Sequence, residues 1–161
     1  MRKILFVALA VFAICITVSA VSADDSWSFS FGSESNSDGG SVDINNNELK
    51  IQDEKFTIPD GFEEVEKERV VAEDSKNIPG AKITTCVLQK GNETILVKVT
   101  FVDGGLENIT GPEGSQNLTI AGNGGFLSTD EDNDTVFDYG VNGKLVEIVA
   151  PSQDLIEAVL K

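Results

Sequence analysis

The chain of 161 residues sets 12 Lys and Arg against 27 Asp and Glu, contains no histidine and has a formal net charge of −15. Such a field repels nucleic acid and anionic lipid surfaces and favours divalent cations, though charge of this kind also suits a plain acidic secreted surface. The absence of histidine excludes Cys/His zinc sites, Cys–His nucleophiles and the Ser–His–Asp triad, and the length suits one small domain.

Residues 1–23 have the pattern of a signal peptide. Arg2 and Lys3 form a basic start, Ile4 to Val18 an apolar run, and Val21-Ser22-Ala23 a small-residue cleavage site. Cleavage there would leave a chain starting at Asp24. Losing Arg2 and Lys3 and no acidic residue would take the net charge to −17. An uncleaved anchor is the alternative, although the apolar run is short for a bilayer that needs ~20 residues. No later stretch is apolar enough to span, so the expected address is secreted or cell surface. Cys15 follows Ile14 rather than a small residue, which argues against lipid attachment. With Cys15 removed, Cys86 is alone and no intrachain disulfide can form.

Residues 24–47 are rich in Ser, Asn, Asp and Gly and predict a flexible linker. Within it, Ser26-Trp27-Ser28-Phe29-Ser30-Phe31 alternates so that Trp27, Phe29 and Phe31 would share one side of an extended strand. Such a segment suits strand addition to a partner or adhesion to a surface. The plainer reading, and the one favoured, is a disordered tether with incidental aromatics.

A single domain is expected over 48–161. Leu49 and Ile51 can pair with Phe56 and Ile58 across a turn at Asp53-Glu54, with Pro59-Asp60-Gly61 ending the second strand. Phe62, Val65 and Val70, set among Glu, Lys and Arg, predict a helix over 62–73. A hairpin of 81–89 with 94–102 around Gly91-Asn92 places Cys86 opposite Val97 and Leu88 opposite Ile95. Cys86 is thereby a small core residue rather than a reactive thiol.

Residues 104–115 read as a loop. Gly122-Asn123-Gly124-Gly125 then reads as a hairpin turn between 117–121 and 126–128, since no Gly-Lys-Ser/Thr follows to make a phosphate cradle. Asp130, Asp132 and Asp134 alternate along Asp130-Glu131-Asp132-Asn133-Asp134 as hard oxygen ligands suited to calcium. The match to an EF-hand loop fails at Thr135, where glycine is needed, and at Val141, where a bidentate Glu is needed. Four Asn-x-Thr sequons, at Asn92, Asn108, Asn117 and Asn133, are candidate N-glycosylation sites.

The clearest fold signal is Asn142-Gly143, the dipeptide best suited to a two-residue type I′ turn. Counting outward pairs Tyr139 with Val146, Phe137 with Ile148 and Thr135 with Ala150 on a core face. On the other face Asp138 opposes Glu147, and two like charges so placed are expected to see water. Pro151 stops the strand and Ser152 is a good N-cap. Leu155, Ile156, Val159 and Leu160 then line one stripe of a helix too short to stand alone. The predicted fold is α+β: a mostly antiparallel sheet of about six strands with the C-terminal helix packed on one face.

The leader Gly39-Gly40-Ser41-Val42-Asp43-Ile44, the segment Phe56-Thr57-Ile58-Pro59-Asp60-Gly61-Phe62 and the ending from Asn142 to Pro151 together resemble small exported proteins of methanogenic archaea. That group has no assigned activity. The resemblance implies an envelope or extracellular address, adds weight to the sequons, and carries over no functional residue.

The function expected from these features is a non-enzymatic module that binds a cell-envelope component or a protein partner through a sheet edge or the aromatic leader. No nucleic-acid partner, catalytic residue or cofactor is expected, calcium excepted. The alternatives are a calcium-stabilised extracellular domain using Asp130, Asp132 and Asp134, and a hydrolase working through paired carboxylates. No spacing identifies such a pair.

Overall fold

The computed structural model describes residues 29–31, 40–76, 78–102 and 104–161. In chain order the strands are β1 (Phe29–Phe31), β2 (Val42–Asn45), β3 (Glu48–Ile51), β4 (Glu54–Thr57), β5 (Glu63–Glu64), β6 (Val70–Asp74) and β7 (Ala81–Lys90). They continue as β8 (Glu93–Val102), β9 (Leu106–Ile109), β10 (Gln116–Ile120), β11 (Asn123–Thr129), β12 (Thr135–Val141) and β13 (Lys144–Ala150), followed by helix α1 (Gln153–Val159).

The mostly antiparallel sheet and the single C-terminal helix are present, and the sheet is larger than about six strands. Eight strands pair in the order β10-β11-β12-β13-β8-β7-β5, with β6 also paired to β7. Every pairing in it is antiparallel. The hairpins β7–β8 and β12–β13 form in the register their turns dictate, with Cys86 opposite Val97 and Phe137 opposite Ile148. Asn142 and Gly143 take φ of 49° and 73°, the pair of positive values a type I′ turn requires.

The inner face of this sheet carries Cys86, Leu88, Val97, Val99, Phe137, Tyr139, Val146 and Ile148, all buried. A second layer covers it: the three-stranded sheet β2-β3-β4 brings Leu49, Ile51 and Phe56, and α1 brings Ile156 and Val159. The helix is thus held by its apolar stripe, as its length demands. It spans seven residues, and Ser152 at its N-cap makes no side-chain capping bond.

Several expectations need correction. Residues 62–73 hold no α-helix; they form β5, a 3-10 turn at Glu66–Glu68 and the start of β6. Glu66-Lys67-Glu68-Arg69 has no apolar stripe to bury, and β-branched Val70 and Val71 suit a strand. A bulge at Ala72, with φ 51°, bends β6, and the Ala72 N–H donates to Thr84 Oγ1 at 3.1 Å. The first small hairpin turns at Gln52-Asp53, one residue earlier than expected, so Leu49 opposes Phe56 and Ile51 opposes Glu54. Gln52 supplies the positive φ there. The glycine-rich turn is likewise two residues, Ala121-Gly122, and Gly124 and Gly125 lie inside β11.

Order also begins before Glu48. β2 falls within the stretch expected to be a linker, and its pairing with β3 sets Ile44 opposite Leu49. β1 falls there too, paired with β9, a strand inside the stretch expected to be a loop.

Candidate functional site

The outer face of the large sheet can be read in cross-strand rows, because residues directly opposite each other share a face. One row runs Asn117, Phe126, Asp138, Glu147, Lys98 and Thr85 across β10, β11, β12, β13, β8 and β7. The next row toward the Asn142 turn holds Thr119 opposite Gly124 and Gly140 opposite Leu145. Where those glycines leave the face without side chains, a trough of about 420 Å³ opens. Ile109 of β9, Asn108, Asn117, Phe126 and Asn142 are among its walls. A Cβ placed on Gly124 would meet nothing within 4 Å, whereas one on Gly140 would strike Ile109 Cδ1 at 2.7 Å. The β1–β9 ribbon therefore lies against Gly140, and the trough is open above Gly124. Its lining contains no carboxylate.

Beside the trough, β10 ends the strand order with β11 as its one neighbour among the described residues. Ala121 and Gly122, with φ of 48° and 87°, make a two-residue turn, so Ile120 and Asn123 form the hydrogen-bonded pair next to it. Alternation then directs the backbone N–H and C=O of Asn117 and Thr119 away from β11. The strand reads Gln-Asn-Leu-Thr-Ile, with no charge, proline or bulge. These are the devices that ordinarily blunt an edge.

The expectation that Asp138 and Glu147 see water fails. Asp138 is 1% exposed, and no hydrogen-bond partner meets its Oδ1. Glu147 is half-buried and accepts from Lys98 Nζ at 2.8 Å. Burial first, and the Glu147 charge second, push the Asp138 carboxyl well above the ordinary carboxylate range, with Lys98 opposing. The like-charge opposition is thus eased by the raised Asp138 value, which favours its neutral form, and by a lysine from β8. Neither carboxyl is among the residues that line the trough.

Asp130, Asp132 and Asp134 do share one loop, but Asp130 is turned inward. Its Oδ1 accepts the backbone N–H groups of Asp132 at 3.0 Å and Asp134 at 2.9 Å, closing an Asx-type turn. Burial, then the charges of Asp130 and Asp132, raise Asp134 above its ordinary value. Among the described residues no group of three or more His, Cys, Asp or Glu is arranged to hold a metal ion.

Cys86 is wholly buried and its thiol donates to Glu64 Oε1 at 3.5 Å. Burial and the Glu64 charge push it up to about 12, far from thiolate reactivity. All four sequon asparagines, Asn92, Asn108, Asn117 and Asn133, are exposed. Asn92 and Asn133 lie at connections at one end of the sheet, and Asn108 and Asn117 both line the trough.

Of the aromatic leader, Phe29 and Phe31 fall in β1, in register with Ile109 and Leu106. Trp27 lies outside the described residues, as do the expected signal segment 1–23 and its cleavage site. Among the described residues no helix is long and apolar enough to cross a membrane. No protein-family model, curated protein or solved structure matches the chain.

Sequence reasoning missed the trough and β9. The trough is made by Gly124 and Gly140 falling in one row on the neighbouring strands β11 and β12, a relation that depends on the connection between them setting Thr129 opposite Thr135. β9 carries no turn chemistry of its own. Its partner is β1, more than 70 residues away.

Proposed function

We propose that this chain is an exported, non-enzymatic module that binds a cell-envelope component or a protein partner by strand addition to β10. The observation that supports this reading is an uncharged edge strand, free of proline and bulge, with the backbone groups of Asn117 and Thr119 turned outward. An extended partner segment would pair with those groups and find side-chain room in the trough beside them. The test is co-sedimentation of unglycosylated residues 24–161 with isolated native cell envelopes. Saturable pelleting is expected, and Thr119→Lys, which adds an edge-blunting charge, should reduce it at least tenfold. Equal pelleting of the two chains would rule out β10 as the docking edge.

A second reading, a calcium-stabilised extracellular domain, draws on the repulsion that Asp130 and Asp132 exert on Asp134, which a cation would relieve. It predicts that millimolar calcium raises Tm above its value in equal magnesium. Identical melting in the two ions would end that reading.

A further inference from the structure

An unblunted edge strand is a hazard for the protein that carries it, because any extended chain can pair there. The residues at this edge hold a means of closing it. Asn117 and Thr119, two apart on one strand, present their side chains on the same outer face and form a sequon. Asn117 is exposed and lies in register with Phe126; Thr119 lies in register with Gly124. The Phe126 ring is packed beside Gly111, where a Cβ would stand 2.3 Å from it, and it is half-buried, leaving part of its surface to the trough. Above Gly124 the space is empty. A sugar attached to Asn117 would therefore meet an aromatic platform on one side and open volume on the other. A trough of about 420 Å³ is ample for its first rings.

We propose that Asn117 carries an N-linked glycan whose first sugar rings lie in this trough and whose bulk closes β10 to strand addition. The donor is a phosphate-activated, lipid-linked saccharide. Asn117 Nδ2 bonds to the anomeric carbon as the carbon–oxygen bond to phosphate breaks, the electron pair leaves with the phosphate oxygen, and the amide gives up one proton. An added strand would lie about 4.8 Å from β10, within the width of a sugar ring, so glycan and partner exclude each other. The other sequons lack a place on the edge strand: Asn92 and Asn133 lie at connections away from β10, and Asn108, which also lines the trough, lies on β9. The edge-closing half of the proposal rests on the docking reading; the modification itself does not.

Peptide mass mapping of the chain isolated from its native host tests the modification. The peptide containing Asn117 should carry a glycan that is kept in Thr119→Ser and lost in both Asn117→Gln and Thr119→Val. An unmodified Asn117, or a glycan surviving Thr119→Val, overturns the site. Thr119→Val keeps the β-branched shape, so its folding is safeguarded, and Thr119→Ser controls for any change at the strand itself. In envelope co-sedimentation, host-made Thr119→Val should pellet several-fold more than host-made wild type. Equal pelleting of these two, when the unglycosylated chain does pellet, overturns edge closure. Failure of the unglycosylated chain to pellet removes the docking reading and edge closure with it, and leaves the mass result to decide the site.

Discussion

Glu54 and Asp138 are both carboxyl side chains withdrawn from water, and the molecule treats them in opposite ways. Glu54 stands at the start of β4 in the small sheet, where its Oε1 accepts from Lys144 Nζ at 2.8 Å and from Asn142 Nδ2 at 3.0 Å. Lys144 and Asn142 belong to the β12–β13 hairpin of the large sheet, so the charged group ties the two layers together at the turn. Asp138, on the second strand in from β10, has Glu147 as its cross-strand neighbour and an oxygen without a partner. One carboxylate has a buried cation within hydrogen-bond reach; the other has none, and its burial and the Glu147 charge push it well above the ordinary carboxylate range. A buried acid thus fastens a fold only when the facing strand supplies its counter-charge.

Removing that counter-charge gives the largest expected effect. Lys144→Met leaves Glu54 buried without its cation, and breaking one side of such a pair costs roughly 3–5 kcal/mol. Against a typical domain stability of about 5–15 kcal/mol, this variant should unfold at far lower urea. The double variant Glu54→Met/Lys144→Met should recover most of the loss, because two apolar side chains have no desolvation to compensate. If the single variant melts like the wild type, the pair does not fasten the layers.

Asp138→Asn tests the other half of the comparison and should act in the opposite direction. The folded-state value of Asp138 is raised, so its favourable contribution is full below the unfolded value of about 3.9 and is lost as pH rises through the folded value. The amide has the carboxyl's shape and no charge to lose. The stability of Asp138→Asn relative to wild type should therefore grow as pH rises above the unfolded value, and the variant should be the more stable of the two near pH 7. Urea midpoints measured from pH 4 to 8 would show it, and a pH-independent difference would mean that Asp138 is charged in the native state.

Much of this contrast was legible in the sequence, up to a definite point. Asn142-Gly143 set the register that puts Asp138 against Glu147 and Phe137 against Ile148, because a two-residue turn leaves no freedom in pairing. What that hairpin could not show was its neighbours. Lys98 reaches Glu147 from β8, 49 residues away in sequence, and Glu54 reaches Lys144 across 90. Without Lys98 the opposed acids read as a wet surface. The helix expected over 62–73 failed for a related reason: β7 offers Glu63, Glu64 and Val70 an edge to pair with, and local charge density gave no hint of it. The candidate site was less legible still. The sequons and the acidic loop could be read directly, whereas the trough depends on which glycines become neighbours after folding.

The smallest expected effect sharpens the comparison by changing what Asp138 faces rather than Asp138 itself. Glu147→Gln removes the like charge that helps raise Asp138 and leaves the attraction of Lys98 acting on it. Losing that repulsion while keeping the Lys98 attraction favours the charged form, so the Asp138 carboxyl should titrate at lower pH in Glu147→Gln than in the wild type. The shift will be partial, because burial is the largest cause of the raised value and the substitution leaves it in place. Stability near pH 7 should change by no more than about 1 kcal/mol, since the loss of the Lys98–Glu147 bridge offsets the relief at Asp138. Carbon-13 titration of the Asp138 carboxyl reads this directly. An unmoved titration would mean that burial alone neutralises Asp138, and the pairing with Glu147 that the turn imposes would then have no electrostatic consequence.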